Sequence, residues 1–115
     1  MPPPIERDIQ AAVIEHWTLL GLPNTLVAAI PNANAHGQPG LTKGLGDLLV
    51  MGPDLPNRHR AGFIELKRDC FAKRTDSQDR FADLCGALGI PYALTFGRDQ
   101  PIRVLEDWGV VRKAA

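Results

Sequence analysis

The sequence has 115 residues, of which 44% are hydrophobic and 23% are charged, and this composition is typical of one compact soluble domain over residues 1–115. Thirteen basic side chains balance thirteen acidic ones, so a uniformly basic protein that coats a polyanion is excluded. The sequence has no apolar run long enough for a bilayer and no secretion signal at its N-terminus, so we expect a cytoplasmic protein without membrane contact. Its two cysteines, Cys70 and Cys85, are too few for a disulfide framework and are expected to be reduced thiols.

The first part of the chain predicts a helix, a strand and a long loop. Apolar residues recur at helical spacing over residues 4–20, with Pro4 suited to the first helical position and Gly21 to the left-handed position after the last turn. Residues 25–30 form a short β-branched run that predicts a strand. The Asn-, Gly- and Pro-rich residues 31–46 then predict a loop, and loops of this length are usually functional or disordered.

The second part predicts three more strands and two more helices. Residues 47–51 and 61–67 are apolar runs that we interpret as neighbouring antiparallel strands. Thr75 and Gln78 have the spacing of a capping box before a helix over 77–88, which a glycine closes. A strand over 91–96 follows, and Asp99 is placed to cap a last helix that ends at Gly109. The order predicts a mixed sheet covered by helices, in an α/β or α+β sandwich.

Two positions in these strands carry charge where an apolar side chain is expected. Glu65 and Lys67 share one face of their strand because side chains alternate with a period of two. A solvated charge pair on a half-exposed strand would explain them, and a Gly-rich turn would explain Asp47 at the start of the preceding strand. If these strands pair, however, Asp47 and Glu65 bring two carboxylates together beside an ammonium group. Such a pair is unfavourable without a cation, and Mg²⁺ or Mn²⁺ prefers oxygen ligands of this kind.

A family resemblance rests on these residues and on their neighbours. The residues that carry it are Gly44-Leu45-Gly46-Asp47, Phe63-Ile64-Glu65-Leu66-Lys67, Ser77-Gln78, and Glu6 and Gln10 on the first helix. They resemble the virus-type replication-repair nuclease (VRR-NUC) domain of the PD-(D/E)XK nuclease superfamily. The resemblance implies a restriction-endonuclease-like αβββαβ core, the order derived above. One departure is Gly46, which stands where the family often has proline before the acidic residue.

The resemblance also implies the roles of the site residues. Asp47 and Glu65 would ligate Mg²⁺ or Mn²⁺, with the carbonyl of Leu66 as a third ligand. Lys67 would orient or help to deprotonate the attacking water, or neutralise charge developing on the phosphate. A bound metal lowers the pKa of its water and polarises the phosphoryl oxygen, which is the chemistry that phosphodiester hydrolysis needs.

Two further residues match the catalytic pattern and also have structural explanations. Glu6 matches an acidic residue on the family's first helix, but an acidic side chain in a first turn is also favoured by the helix dipole. Gln78 matches a catalytic glutamine, but it is also the last member of the predicted capping box. Both alternatives stay open at the level of the sequence.

Basic residues gather in one stretch of the sequence. Residues 58–74 contain six basic and two acidic side chains, although the whole chain is neutral. This excess predicts a surface that contacts phosphates, although a pair of solvated loops is the alternative. The predicted DNA-binding residues are Lys43, Arg58, Arg60, Arg68, Lys73 and Arg74.

The resulting hypothesis is a metal-dependent DNA endonuclease acting in phage or prophage replication or repair. Stand-alone members of the family resemble Holliday-junction resolvases, so the resemblance implies branched DNA as substrate and a homodimer. No phosphate-binding glycine loop of the nucleotide-binding type is present, so no nucleotide cofactor is expected. Two alternatives remain: a non-catalytic DNA-binding or partner-recruiting module on the same fold, and a restriction-type or trimming nuclease.

Overall fold

The fold is a four-stranded mixed sheet with helices packed on it, as seen in a computed structural model that describes residues 5–31 and 44–113. Pro4, Lys43 and most of the predicted loop lie outside these residues. The elements are α1 (Glu6–Leu20), β1 (Leu26–Ala29), β2 (Leu48–Leu55), the short 3-10 helix η1 (Pro56–Arg58), β3 (His59–Lys67), α2 (Asp76–Leu88), β4 (Tyr92–Phe96) and α3 (Asp99–Asp107). The predicted α/β class and the predicted order of helices and strands are confirmed.

The sheet has the strand order β1-β2-β3-β4. The first three strands are antiparallel neighbours, whereas β4 runs parallel to β3 and is reached through α2. Pairing of β2 with β3 places Leu48 opposite Ile64, and pairing of β3 with β4 places Glu65 opposite Leu94. The start of β2 therefore lies beside the end of β3, at one end of the sheet.

The two faces of the sheet differ in what covers them. Ile64 and Leu66 of β3 belong to the apolar core, together with buried side chains from α1 and α3. Glu65 and Lys67 point to the opposite face because side chains alternate along a strand. On that face Phe81 of α2 packs its ring edge-to-face against that of Phe63, with their centroids 4.9 Å apart. The core is thus on one face, and the charged pair lies on the other beside α2.

Three local predictions are wrong. Gly21 ends α1 in an extended conformation, and it is needed because a Cβ there would lie 2.6 Å from the Trp17 carbonyl oxygen. The hairpin of β2 and β3 is longer than predicted, because a register shift after Met51 accommodates Pro53, which has no N–H to donate. Arg98, not Asp99, precedes α3 at the cap position.

Other local predictions are confirmed. The capping box of Thr75 and Gln78 is formed, and Gly89 closes α2 with a left-handed conformation. Cys70 and Cys85 are free thiols. None of the helices in the described ranges is both long enough and apolar enough to cross a bilayer.

Candidate active site

The Asp47 carboxylate reaches from the start of β2 to the backbone of β3. Its Oδ2 atom accepts a hydrogen bond of 2.6 Å from the backbone N–H of Leu66, which belongs to the peptide that joins Leu66 to Glu65. The Asp47 backbone is held as well, since its N–H donates to Ile64 and its carbonyl accepts from Ile30. These contacts belong to strand pairing, which brings Asp47 to the backbone beside Glu65.

Gly44 and Gly46 shape the turn that presents Asp47. Their φ angles are +85° and +91°, in the left-handed region that glycine adopts without strain. A proline at position 46 is incompatible with this turn because its ring holds φ near −65°. The backbone at position 46 is therefore one that proline cannot adopt, and the carboxylate of Asp47 reaches β3 from it.

Gly44 also couples this turn to the first turn of α2. A Cβ at Gly44 would lie 2.5 Å from the carbonyl carbon of Ser77 and 2.8 Å from the backbone nitrogen of Gln78. Only a residue without a side chain permits the two backbones to approach so closely. The turn that carries Asp47 and the helix that carries Gln78 are thus packed directly against each other.

Glu65 is buried completely, and charged and polar donors surround its carboxylate. Arg74 contacts both carboxylate oxygens, with Nη2 at 3.2 Å from Oε1 and Nε at 3.4 Å from Oε2. The Tyr92 hydroxyl donates to Oε1, and the Lys67 ammonium lies 3.6 Å from Oε2. A buried carboxylate needs such partners, because desolvation of an unpaired charge is expensive. The alternative of a solvated charge pair is wrong, since Lys67 is also only 5% exposed.

Two of these partners have altered proton affinities. Burial, together with the hydrogen bond to Glu65, raises the pKa of Tyr92 well above its ordinary value, so its hydroxyl remains a donor. Burial acts to lower the pKa of Arg74, but the hydrogen bonds and charges of Glu65 and Tyr92 outweigh it and raise the pKa. The guanidinium therefore remains charged beside Glu65.

Lys67 is oriented by α2 and by the loop before it. Its Nζ atom donates to the Gln78 side-chain oxygen at 3.2 Å and to the Lys73 carbonyl at 3.1 Å. The same Gln78 oxygen accepts the backbone N–H of Thr75 at 2.8 Å, which completes the capping box. The structural and the site interpretation of Gln78 are therefore compatible, because one oxygen atom serves both.

Glu6 is the first residue of α1, and its side chain is exposed. Its catalytic role stays a prediction.

The six basic residues of the stretch 58–74 do not gather in one place. Arg58 lies in η1 and Arg60 near the start of β3, at the opposite end of this strand from Lys67. At a rise of about 3.3 Å per residue, Arg60 and Lys67 are separated by about 23 Å. Arg68 and Lys73 are exposed next to the site, whereas the guanidinium of Arg74 is turned inward to Glu65. Neighbours in sequence thus form two separate basic regions.

Tyr92 is a site residue that the sequence analysis missed. The parallel register places it opposite Phe63, on the face that carries Glu65, and its hydroxyl reaches that carboxylate. Arg74 was predicted only as a DNA contact, and its partner Glu65 was not foreseen. The sequence shows only a tyrosine at the start of an apolar strand. This residue cannot be assigned to the site until the strand register is known.

The donors in this region are chemically suited to a hard divalent cation. The Asp47 carboxylate binds the Leu66 N–H, Glu65 precedes Leu66 in β3, and the Leu66 carbonyl points to the same side of β3 as that N–H. No cluster of three or more His, Cys, Asp or Glu side chains occurs in residues 5–31 and 44–113. Mg²⁺ in proteins usually has one or two carboxylate ligands and several waters, so two carboxylates and a carbonyl fit this ion.

The fold is shared with two solved structures that are described as VRR_NUC domains. A structure described as "VRR_NUC domain protein" superposes with a TM-score of 0.77 and 17% identity, over 98% of this chain and 100% of the other. A second, described as "VRR_NUC domain", superposes with a TM-score of 0.60 and 24% identity, over 90% and 96% of the two chains. No family model matches the chain, and no curated protein matches it. The chain therefore has the fold of the VRR_NUC domain, as the resemblance of its sequence predicted.

Proposed function

We propose that this protein is a divalent-metal-dependent DNA endonuclease that acts on branched DNA. The observation that carries the proposal is the reach of the Asp47 carboxylate to the Leu66 N–H, beside the buried Glu65. Lys67 lies two residues after Glu65 on the same face of β3 and adds a third charged group. Packing alone does not require this arrangement of charges. The fold shared with VRR_NUC domains supports a nuclease, and the substrate geometry rests on the resemblance.

In this proposal, Asp47, Glu65 and the Leu66 carbonyl would hold Mg²⁺ or Mn²⁺. The ion would lower the pKa of a bound water and compensate negative charge on the phosphate. The Lys67 ammonium, which Gln78 and the Lys73 carbonyl hold in place, orients the water and offsets charge in the transition state. The fixed position of this ammonium matters because preorganised charges need no reorganisation during the reaction.

The DNA would lie across the exposed basic residues next to the site. Arg68 and Lys73 are close enough to contact phosphates that flank the cleaved bond, whereas Arg58 and Arg60 would contact the backbone about 23 Å away. At 3.4 Å per base pair, that separation corresponds to about seven base pairs of duplex. Because side chains alternate along β3, Arg60 shares the face of Ile64 and Leu66, so the two basic regions do not lie on one face of the sheet.

A homodimer is part of the proposal, because one site of this size cuts one strand and a junction needs two cuts. The face of the sheet that carries Glu65 also exposes apolar side chains on β1 and β2, and α2 exposes two more beside it. These residues, which we call the apolar strip, are Leu26, Met51, Leu84 and Leu88. Pairing of two strips would remove apolar surface from water and extend the basic surface. Light scattering on the wild type and on Met51→Lys tests this, and a monomeric wild type would exclude the dimer.

The experiment that tests the activity compares a labelled four-way junction, a flap and a linear duplex with Mg²⁺, Mn²⁺ or EDTA. Asp47→Asn removes a charge at the site, and the matched control Asp54→Asn removes one at the exposed far end of β2. We expect metal-dependent cleavage by the wild type and the control, and no cleavage by Asp47→Asn. Paired cuts confined to the junction indicate a resolvase, and cuts in the linear duplex indicate a restriction-type or trimming nuclease. Binding without any cleavage would instead support a non-catalytic module.

A further inference from the structure

Arg74 holds the carboxylate that the proposed function assigns to the metal. Its guanidinium bonds both oxygens of Glu65, at 3.2 and 3.4 Å, and these oxygens are the atoms that would ligate a cation. Because Glu65 is completely buried, its carboxylate can bind a new partner only by giving up one of its present partners. Arg74 and a metal ion therefore compete for the same negative charge.

We propose that Arg74 is an internal counter-cation that stabilises the metal-free site and withdraws from Glu65 when a divalent cation binds. This inference rests on the proposed function, since it concerns the metal that the function requires. It assigns to Arg74 a positioning role that differs from the DNA contact predicted from its charge. Lys67 does not share that role, because Gln78 and the Lys73 carbonyl hold its ammonium and it lies farther from Glu65, at 3.6 Å.

The guanidinium has a second anchor that makes withdrawal feasible. Its Nη1 atom lies 3.1 Å from Oδ1 of Asp79, whose side chain is 53% exposed. Nη2 also contacts the Gln78 carbonyl at 3.4 Å and the Tyr92 hydroxyl at 3.2 Å. A modest movement toward Asp79 and solvent would therefore keep one charge partner for Arg74 and remove its contacts with both oxygens of Glu65. The buried carboxylate retains a positive neighbour in either arrangement.

The free energy favours replacement of Arg74 by the metal ion at Glu65 over binding of both at once. Removing the hydrogen-bonded counter-charge of a buried carboxylate is strongly destabilising, so we expect Arg74 to leave only when another cation arrives. Conversely, a metal ion must displace the charge-assisted hydrogen bonds of Arg74 before it can bind Glu65. The free energy needed to break these bonds lowers the apparent affinity for the metal. Metal affinity should therefore rise when Arg74 is replaced by a neutral side chain.

The test is Mn²⁺ binding to the protein alone, measured by calorimetry and by the electron paramagnetic resonance of free Mn²⁺. We expect Arg74→Gln to bind Mn²⁺ at least about tenfold more tightly than the wild type, because the competing charge is gone. Arg74→Lys, which cannot bond both oxygens at once, should be intermediate and keeps the test available if the neutral variant unfolds without metal. The matched control is Asp79→Asn, which removes only the exposed anchor and should not tighten binding.

Thermal unfolding gives an independent readout that does not depend on cleavage. Without metal, Arg74→Gln should have a lower Tm than the wild type, and saturating Mn²⁺ should raise its Tm by more. Equal or weaker Mn²⁺ binding by Arg74→Gln, with binding still lost in Asp47→Asn, would overturn the inference and leave the metal site intact. Absence of Mn²⁺ binding in the wild type and in all variants would overturn the metal site and the inference together.

Discussion

The packing of Gly44 against α2 leads to a quantitative prediction about the turn that presents Asp47. Gly44→Ala and Gly46→Ala both place a Cβ at a positive φ, which costs about 1–2 kcal/mol. At Gly46 the added Cβ would lie 3.6 Å from its nearest neighbours, so only this strain applies. At Gly44 it would lie 2.5 Å from the Ser77 carbonyl carbon, and forcing backbone apart adds about 1–3 kcal/mol.

The expected losses are therefore about 1–2 kcal/mol for Gly46→Ala and about 2–5 kcal/mol for Gly44→Ala. For a domain of this size, 1 kcal/mol lowers Tm by about 4 °C, so the additional cost of about 1–3 kcal/mol at Gly44 lowers the Tm of its variant by about 4–12 °C more. The assay is urea denaturation followed by circular dichroism, with thermal melts as a check. Because Gly44 also adjoins Gln78, its variant should lose more cleavage than folded fraction alone explains. A Gly44→Ala protein as stable as Gly46→Ala would refute the proposed coupling of the turn to α2.

Three further predictions concern the site and its surroundings. Thr75→Ala should cost about 1 kcal/mol of unfolding free energy and retain cleavage, whereas Gln78→Ala should lose similar stability and also cleavage; equal activities would limit Gln78 to capping. Tyr92 is the chain's only tyrosine, so its phenolate absorbance should stay absent well above pH 10 in the folded protein and appear near pH 10 in urea. Because its folded pKa is raised, its stabilisation is complete below about pH 10 and is lost as pH rises through the folded pKa; titration near 10 without urea would contradict this. Arg68→Ala and Lys73→Ala should each reduce the slope of log affinity against log salt by about 0.9, and unchanged slopes would exclude phosphate contacts there.

The sequence was sufficient for the order of elements because each helix and strand carries its own local signal. The period of apolar residues predicts α1, and the capping box predicts the start of α2. Alternation in β3 predicts that Glu65 and Lys67 share a face. The limits of β2 could not be predicted, since Pro53 argues against a strand unless a register shift removes the need for its N–H.

The composition and position of the candidate site could be predicted only in part. Asp47, Glu65 and Lys67 are visible because charge in an apolar strand is unexpected. The sequence also predicted one basic surface over residues 58–74, which is wrong because β3 is extended and separates the two ends of that stretch. Charged residues that are close in the sequence are close in space only where the chain between them is compact.

The sequence alone specifies the order of the elements, the face on which each strand residue lies and the identity of the unusual charges. It does so because these features depend on local interactions. Only the tertiary structure decides which groups meet, because that depends on register and on how closely backbones approach. The parallel pairing of β3 with β4 brings Tyr92 to Glu65, and the loop before α2 brings Arg74 to the same carboxylate. The charge balance of the site is therefore a property of long-range pairing, which no local pattern in the sequence encodes.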